Sequence, residues 1–249
     1  MLWTIDVGNT RTVSGVLDEM KVVHRHEAST EQLLDRAGAL RWARDLKRSG
    51  SAVGFILSSV VPKADAPMTA AIMKVFGAEP VFVRPGMDLG IQLRVKHPEE
   101  VGADRIVNAL AARTLFGCPS IVVDFGTATT FDVVDRHGDY QGGAILPGIT
   151  TAFRALHSFT AQLPDVRFKP AGSAIGHSTE EAMRSGIWFG AIGQVRELLL
   201  RIRKEMGVVA PAISTGGFCK AFKELGIFHH IAPDLTLQGL ACVWKRFHE

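Results

Sequence analysis

Apolar and polar positions follow two alternating periods along the chain, one typical of strands and one typical of helices. Short apolar, β-prone runs predict strands at residues 2–5, 12–17, 53–57, 81–83, 121–123, 130–134 and 212–214. Helical spacing predicts one helix that begins with a capping box at Ser29 and ends near Gly50, and others at residues 64–76, from 104, and at 150–156, 179–192, 195–206 and 237–244. Because helices are interspersed with strands and hairpins, we expect an α/β fold with mixed sheets rather than an all-parallel one.

One short pattern occurs twice, at Asp6-Val7-Gly8-Asn9-Thr10 and at Asp124-Phe125-Gly126-Thr127-Ala128. Each copy lies between two predicted strands and therefore predicts a hairpin with a tight turn. Glycine lets backbone amides approach a phosphate closely, and the aspartate can hold a cation or its water shell. One Asp-x-Gly turn is ordinary hairpin chemistry, but two copies indicate duplicated halves with a nucleotide between them. Because Gly117-Cys118-Pro119 interrupts a predicted helix before the second copy, we expect domains at 1–117 and 118–249.

Composition narrows the class of protein. The chain has 249 residues and a net charge of only +3, without a block of lysine and arginine, so nucleic-acid binding has little electrostatic support. Its three cysteines lie far apart and lack metal-site spacing, which favours reduced thiols. We expect a soluble cytoplasmic protein that binds neither nucleic acid nor a membrane. The common dinucleotide and P-loop glycine motifs are missing from the sequence, so those nucleotide folds are not predicted.

Several motifs resemble those of a known superfamily. The two Asp-x-Gly hairpins resemble the phosphate loops of actin, sugar kinases and heat-shock chaperones, and Thr215-Gly216-Gly217 is similar to their adenosine loop. Within that group, residues 100–109 closely resemble the signature of type III pantothenate kinases, and blocks at 58–62, 124–129, 142–145, 160–164 and 235–239 agree in the expected order. The resemblance implies two ribonuclease-H-like duplicated domains, with mixed sheets flanked by helices and the nucleotide in the cleft between them. It also implies ATP-dependent phosphorylation of pantothenate to 4'-phosphopantothenate, the first step of coenzyme A biosynthesis.

The resemblance also implies roles for individual residues. Asp104 is the catalytic base, Asp124 binds a monovalent cation (K⁺ or NH₄⁺), and Asp6 holds Mg²⁺ through water. The implied ATP contacts are Asp6, Val7, Gly8, Asn9, Thr10, Arg11, Thr12, Val13, Thr127, Gly216 and Gly217. The implied pantothenate contacts are Val95, Gly102, Ala103, Asp104, Arg105 and Thr179. Family members are homodimers in which the partner subunit closes the pantothenate pocket, so a homodimer is implied.

The residues themselves leave alternatives open. At the start of a predicted helix, Asp104 is either an N-cap or a carboxylate that the helix N-terminus keeps ionised, and therefore a weak base. Arg105 either pairs with a neighbouring glutamate or grips the carboxylate or amide of pantothenate. Thr179 reads as a helix cap whose hydroxyl could also reach the substrate. Asp6 and Asp124 are either ordinary turn residues or ligands around ATP.

The sequence departs from the family pattern at one pocket position. Val95 stands where many relatives have a tyrosine that lines the pantothenate pocket, and Tyr140 is the only tyrosine in the chain. This loss keeps a second function open, that of a non-catalytic nucleotide-binding regulator resembling a transcription accessory factor. Because the residues of the predicted base, cation site and phosphate loops are all present, the sequence favours the kinase.

Overall fold

The computed structural model describes residues 1–50, 53–84 and 86–248 as two five-stranded sheets with flanking helices. The strands are β1 (Leu2–Val7), β2 (Arg11–Asp18), β3 (Lys21–Ser29), β4 (Gly54–Ser59), β5 (Val81–Phe82), β6 (Ser120–Phe125), β7 (Ala128–Val134), β8 (Tyr140–Pro147), β9 (Ala212–Gly216) and β10 (His230–Ile231). The helices are α1 (Arg36–Arg48), α2 (Pro62–Phe76), α3 (Ala103–Phe116), α4 (Ile149–Ser158), α5 (Thr179–Met206) and α6 (Leu235–His248). Short 3-10 helices lie at Thr30–Leu33, Pro98–Glu100 and Cys219–Leu225.

The two sheets have the same strand order. The first runs β3-β2-β1-β4-β5 and the second, in the same sense, β8-β7-β6-β9-β10. In both, the hairpin is antiparallel (β1 with β2, β6 with β7), and its first strand pairs in parallel with a later one (β4 or β9). The predicted α/β fold with duplicated mixed sheets is therefore confirmed.

The two hairpin turns differ in length. Residues 8–11 connect the paired residues Val7 and Thr12, whereas residues 126–128 connect Phe125 and Thr129, so the second turn is one residue shorter. The two copies of the sequence pattern thus start at equivalent strand positions but form turns of different length.

The chain forms two compact units. Unit 1 consists of residues 1–117, 138–141 and 234–249, and unit 2 consists of residues 118–137 and 142–233. These units differ from the predicted ranges 1–117 and 118–249 mainly in α6, which packs on α3, β1 and β4. The approach is close, because a methyl group at Gly239 of α6 would lie 2.2 Å from the carbonyl oxygen of Val107. Thr236 also donates a 2.8 Å hydrogen bond to Asn108 Oδ1 of α3.

Each unit has its own apolar core. In unit 1, Trp3 of β1 and Trp42 of α1 are almost completely buried in one cluster with the apolar face of α2. In unit 2, Phe125 at the end of β6 stacks on Phe222 with ring centroids 4.1 Å apart, and Trp188 of α5 packs against the same ring. These clusters fix the carboxyl ends of β1 and β6, and therefore the positions of the two turns that follow them.

Three details of the predicted helices are wrong. Ser29 makes no side-chain cap bond, and α1 instead begins after Asp35, whose Oδ1 accepts a 2.8 Å bond from Gly38 N. The helices predicted at 179–192 and 195–206 are one helix, because Gly193 lies inside the hydrogen-bonded spiral of α5. Thr179 is the first residue of that helix rather than its cap. Within the residues that the structure describes, no helix has the length and apolar character needed to cross a membrane.

Candidate functional site

The first Asp-x-Gly turn lies at the carboxyl end of β1, where Gly8 N donates a 3.0 Å hydrogen bond to Arg11 O. Asn9 and Arg11 are exposed, whereas the side chains of Val7 and Thr12 are buried. Of the residues predicted to bind ATP here, Val7 and Thr12 therefore have only backbone atoms to offer. The exposed part of the turn carries amide groups and polar side chains, which suit phosphate oxygens.

Asp6 is held by a serine from the neighbouring parallel strand. Ser58 of β4 pairs with Asp6 in the sheet register, and its Oγ donates a 2.7 Å hydrogen bond to Asp6 Oδ1. Ser58 is completely buried, so this bond fixes one carboxylate oxygen from the protein side. A half-buried carboxylate at a strand end is a suitable oxygen donor for Mg²⁺ or for its bound water.

Asp104 is the second residue of α3, close to the carboxyl end of β4 in the same unit. Its Oδ1 accepts a 2.9 Å hydrogen bond from Arg105 N, and the helix is capped by Gly102 rather than by this carboxylate. A methyl group at Gly102 would lie 2.5 Å from Asp104 Oδ1 and 3.8 Å from the Val60 side chain. The glycine is therefore what allows the carboxylate to fold back over the helix start, beside the segment that follows β4.

Burial raises the pKa of Asp104 above the ordinary value of 3.8. The hydrogen bond from Arg105 N and the charge of its guanidinium act in the opposite direction but do not offset the desolvation. The expectation that the helix N-terminus makes this carboxylate a weak base is therefore wrong in direction. A carboxylate with a raised pKa is a better proton acceptor than an ordinary aspartate.

Arg105 is half-buried and lies against an aromatic ring. Its guanidinium carbon is 5.9 Å from the ring centroid of Tyr140, within the range of a cation–π contact. Tyr140 is only 1% exposed, and its backbone pairs with the segment that contains Val95 through hydrogen bonds to Gln92 and Arg94. The only tyrosine thus lies beside the segment that lacks the family tyrosine, but its buried ring packs on Arg105 instead of lining a surface.

In unit 2, Asp124 of β6 is crowded by the end of β9. Asp124 pairs with Thr215, and the next residue, Gly216, has a φ of +82°. A methyl group at Gly216 would lie 2.3 Å from Asp124 Oδ1 and 2.7 Å from Phe125 N, so the carboxylate and the Thr215-Gly216-Gly217 turn lie against each other. The predicted cation residue and two predicted ATP residues are therefore neighbours.

The second turn is bound at its centre by the start of α4. Thr127 O accepts hydrogen bonds from Gly148 N (3.0 Å) and from Thr151 Oγ1 (2.6 Å). Thr127 itself is exposed, so the centre of the turn lies at the protein surface. Thr179 lies elsewhere in unit 2, at the exposed start of α5, where Ser178 Oγ accepts a 3.2 Å bond from Glu181 N and provides the cap.

A sequence model of the family described as type III pantothenate kinase matches residues 2–201. A type III pantothenate kinase from Thermomicrobium roseum is 43% identical over an alignment that covers 100% of this chain and 98% of that protein. The chain belongs to the type III pantothenate kinase family. The predicted family membership is thereby confirmed.

Solved structures add the fold to this family assignment. A conserved protein assigned to the Baf family of transcriptional activators, from Campylobacter jejuni, is similar with a TM-score of 0.61 at 18% identity, covering 99% of this chain and 98% of that one. A protein assigned as a 2-dehydro-3-deoxygalactonokinase, from Sinorhizobium meliloti, is similar with a TM-score of 0.60 at 12% identity and 99% coverage of both chains. At these identities, each comparison shows only that the fold is shared.

Three hydroxyl residues that contact the predicted site were not identified from the sequence. Ser58 contacts Asp6, Thr30 contacts the first turn and Thr151 contacts the second. All three act through hydroxyl groups on elements outside the hairpins. Ser58 lies in a block that resembles the family, which was a signal for its position but not for its partner.

Proposed function

We propose that this chain uses ATP to phosphorylate the terminal hydroxyl of pantothenate, giving 4'-phosphopantothenate in the first step of coenzyme A biosynthesis. The observation that carries the proposal is the carboxylate of Asp104, whose pKa is raised by burial, at the head of α3 in a member of this family. In this reaction the pantothenate oxygen attacks the γ-phosphorus, the bond to the bridging oxygen breaks and ADP leaves. Asp104 accepts the hydroxyl proton.

The other residues predicted to contact pantothenate supply the substrate contacts in this proposal. Arg105 offers a fork of donors to the carboxylate or amide of pantothenate, and the Tyr140 ring restricts the orientation of its guanidinium. Gly102 and Ala103 contribute backbone, and Thr179 contributes an exposed hydroxyl. Val95 gives an aliphatic contact where many relatives have a tyrosine, so we expect weaker pantothenate binding than in those relatives.

The two turns and their aspartates serve ATP and its cations. Residues 8–11 and 126–128 donate to phosphate oxygens, while Gly216 and Gly217 contact the adenosine part. When Mg²⁺ is bound it neutralises phosphate charge, and Asp6, held by Ser58, orients its water shell. Asp124 is the proposed ligand of K⁺ or NH₄⁺, supported by its oxygen atom close to the Gly216 backbone.

A purified sample tests the function directly. We expect ADP formation from ATP and Mg²⁺ to require pantothenate and to be faster in potassium than in sodium buffer. Asp104→Asn should lower turnover by a factor of about 100 or more with unchanged circular dichroism. Asp45→Asn, at a half-buried aspartate of α1, serves as the matched control and should leave turnover unchanged. Phosphorylation of another small alcohol instead of pantothenate would refute the substrate assignment. Nucleotide binding without turnover would favour the regulator.

We also propose a cytoplasmic homodimer in which the partner subunit closes the pantothenate pocket. The proposal is supported by the family resemblance and by the use of ATP as substrate. Analytical ultracentrifugation at micromolar concentration should give twice the mass of the 27.0 kDa chain. A sedimenting species of a single chain that is fully active would contradict it.

A further inference from the structure

We propose that Thr30 and Thr151 are positioning residues for ATP, each of which fixes the peptide orientation of one phosphate-contacting turn. The inference deepens the proposed function and rests on the assignment of both turns to ATP. Neither threonine belongs to a hairpin that it contacts, and nothing in the sequence pattern links it to a phosphate. Their common feature is a side-chain hydroxyl that donates to a carbonyl oxygen inside the turn.

Thr30 holds the first turn at two points. Its Oγ1 donates a 2.7 Å hydrogen bond to Gly8 O, and its backbone N donates a 3.2 Å bond to Thr10 O. Thr30 is 1% exposed, so water does not compete for these bonds. Its Oγ1 also lies 3.0 Å from Oγ1 of Thr12. Because a hydroxyl has one proton, and that of Thr30 goes to Gly8, Thr12 must be the donor in this pair.

Thr151 holds the second turn in an equivalent way. Its Oγ1 is 2.6 Å from Thr127 O, and the same oxygen accepts from Gly148 N at 3.0 Å. Both lone pairs of this carbonyl are therefore occupied by groups at the start of α4. In both units a threonine hydroxyl thus binds a carbonyl oxygen of the turn. The threonine belongs to a 3-10 helix in unit 1 and to an α-helix in unit 2.

The consequence for phosphate binding follows from the planarity of the peptide group. In a trans peptide, the carbonyl of one residue and the N–H of the next point in opposite directions. Because Gly8 O points toward the Thr30 hydroxyl, the Asn9 N–H must point away from Thr30. Because Thr127 O points toward the Thr151 hydroxyl of α4, the Ala128 N–H must point away from α4. Each threonine therefore presents a backbone amide in a fixed direction before ATP arrives, which reduces the ordering that binding requires.

The test replaces each hydroxyl by a methyl group of the same size. Thr30→Val and Thr151→Val should each raise the KM for ATP, and the calorimetric Kd for ADP, about fivefold to tenfold, with the KM for pantothenate unchanged within about twofold. Thr30→Ser and Thr151→Ser keep the hydroxyl and should restore nucleotide affinity. Thr114→Val removes a comparable 2.8 Å hydroxyl–carbonyl bond inside α3 and should leave the KM for ATP and the Kd for ADP unchanged.

Each other outcome refutes the inference. If the valine variants bind ADP like the unchanged protein, the hydroxyls do not position the turns. If serine fails to restore affinity, or if both KM values rise together as thermal stability falls, the threonines act only in packing. Because ADP affinity is measured without an acceptor alcohol, the inference is tested even if pantothenate is not the substrate.

Discussion

Gly216 and Gly207 form a matched pair that separates two causes of instability. Both have positive φ in unit 2, +82° and +66°, and both would become strained on replacement by alanine. At Gly207, which ends α5, a methyl group would have no atom within 4 Å. At Gly216, it would lie 2.3 Å from the carboxylate of Asp124 and 2.7 Å from Phe125 N.

The expected magnitudes follow from these contacts. Gly207→Ala should lose about 1–2 kcal/mol, the cost of left-handed backbone alone. Gly216→Ala has the same backbone cost and in addition overlaps a strand backbone that no rotamer change can relieve, which adds about 1–3 kcal/mol. Its free energy of unfolding should therefore fall by about 2–5 kcal/mol. The Asp124 carboxylate must also move, so we expect a higher potassium concentration for half-maximal activation in Gly216→Ala only.

Urea unfolding followed by circular dichroism measures the first effect, and ADP formation over a potassium titration measures the second. Equal losses of stability in the two variants would show that the overlap is relieved without cost. An unchanged potassium response in a folded Gly216→Ala protein would refute the role assigned to the neighbouring carboxylate.

Three further predictions concern the proposed site. The folded state binds the Asp104 proton more tightly than the unfolded chain, so the contribution of this group to stability should fall as pH rises above 3.8. Urea unfolding should therefore show that Asp104→Asn is more stable than the unchanged protein at pH 8. Near pH 4, the two proteins should have the same free energy of unfolding. Ser58→Ala should raise the Mg²⁺ requirement several-fold in a metal titration, whereas Ser59→Ala, on the next residue, should not; equal responses would contradict the bond to Asp6. Ser178→Ala should lower the free energy of unfolding by about 1 kcal/mol with little effect on the KM for pantothenate. Thr179→Ala should raise the KM for pantothenate and leave the free energy of unfolding unchanged.

The sequence was sufficient for the elements with strong local signals. The apolar runs of β1 and β6 and the glycine after each aspartate predicted both hairpins, and α3 begins within one residue of the predicted start. In contrast, β3 (Lys21–Ser29) was not predicted, because it carries charged and histidine side chains that are mostly exposed. It is a strand because β2 pairs with it, which is a tertiary effect that local propensity does not encode.

The break predicted in α5 failed for a related reason. Gly193 lies at the predicted break, and Gly186, Gly190 and Gly193 each lower intrinsic helix stability by about 1 kcal/mol relative to alanine. All three are exposed, while the opposite face of the helix buries Met183 and Trp188 in the core of unit 2. Packing of that face outweighs the three glycines, and only the tertiary structure contains this information.

The hydrogen-bond partners and the burial of the site residues could not be predicted from the sequence either. Ser58 faces Asp6 because β4 pairs in parallel with β1 in one particular register, across 52 residues of chain. The direction of the Asp104 pKa depended on its burial, and the helix position alone gave the opposite sign. Residue types and spacing thus predicted which groups carry the chemistry, whereas only strand register and burial show how those groups are held.

The return of α6 to unit 1 has a consequence for synthesis. On the ribosome, residues 1–117 emerge first, but the helix that covers β1, β4 and α3 is made only after the whole of unit 2. Until then, the early segment exposes the apolar surface that α6 will cover, and such a surface is prone to aggregation. A premature stop before α6 would therefore harm the half of the molecule that had been translated long before.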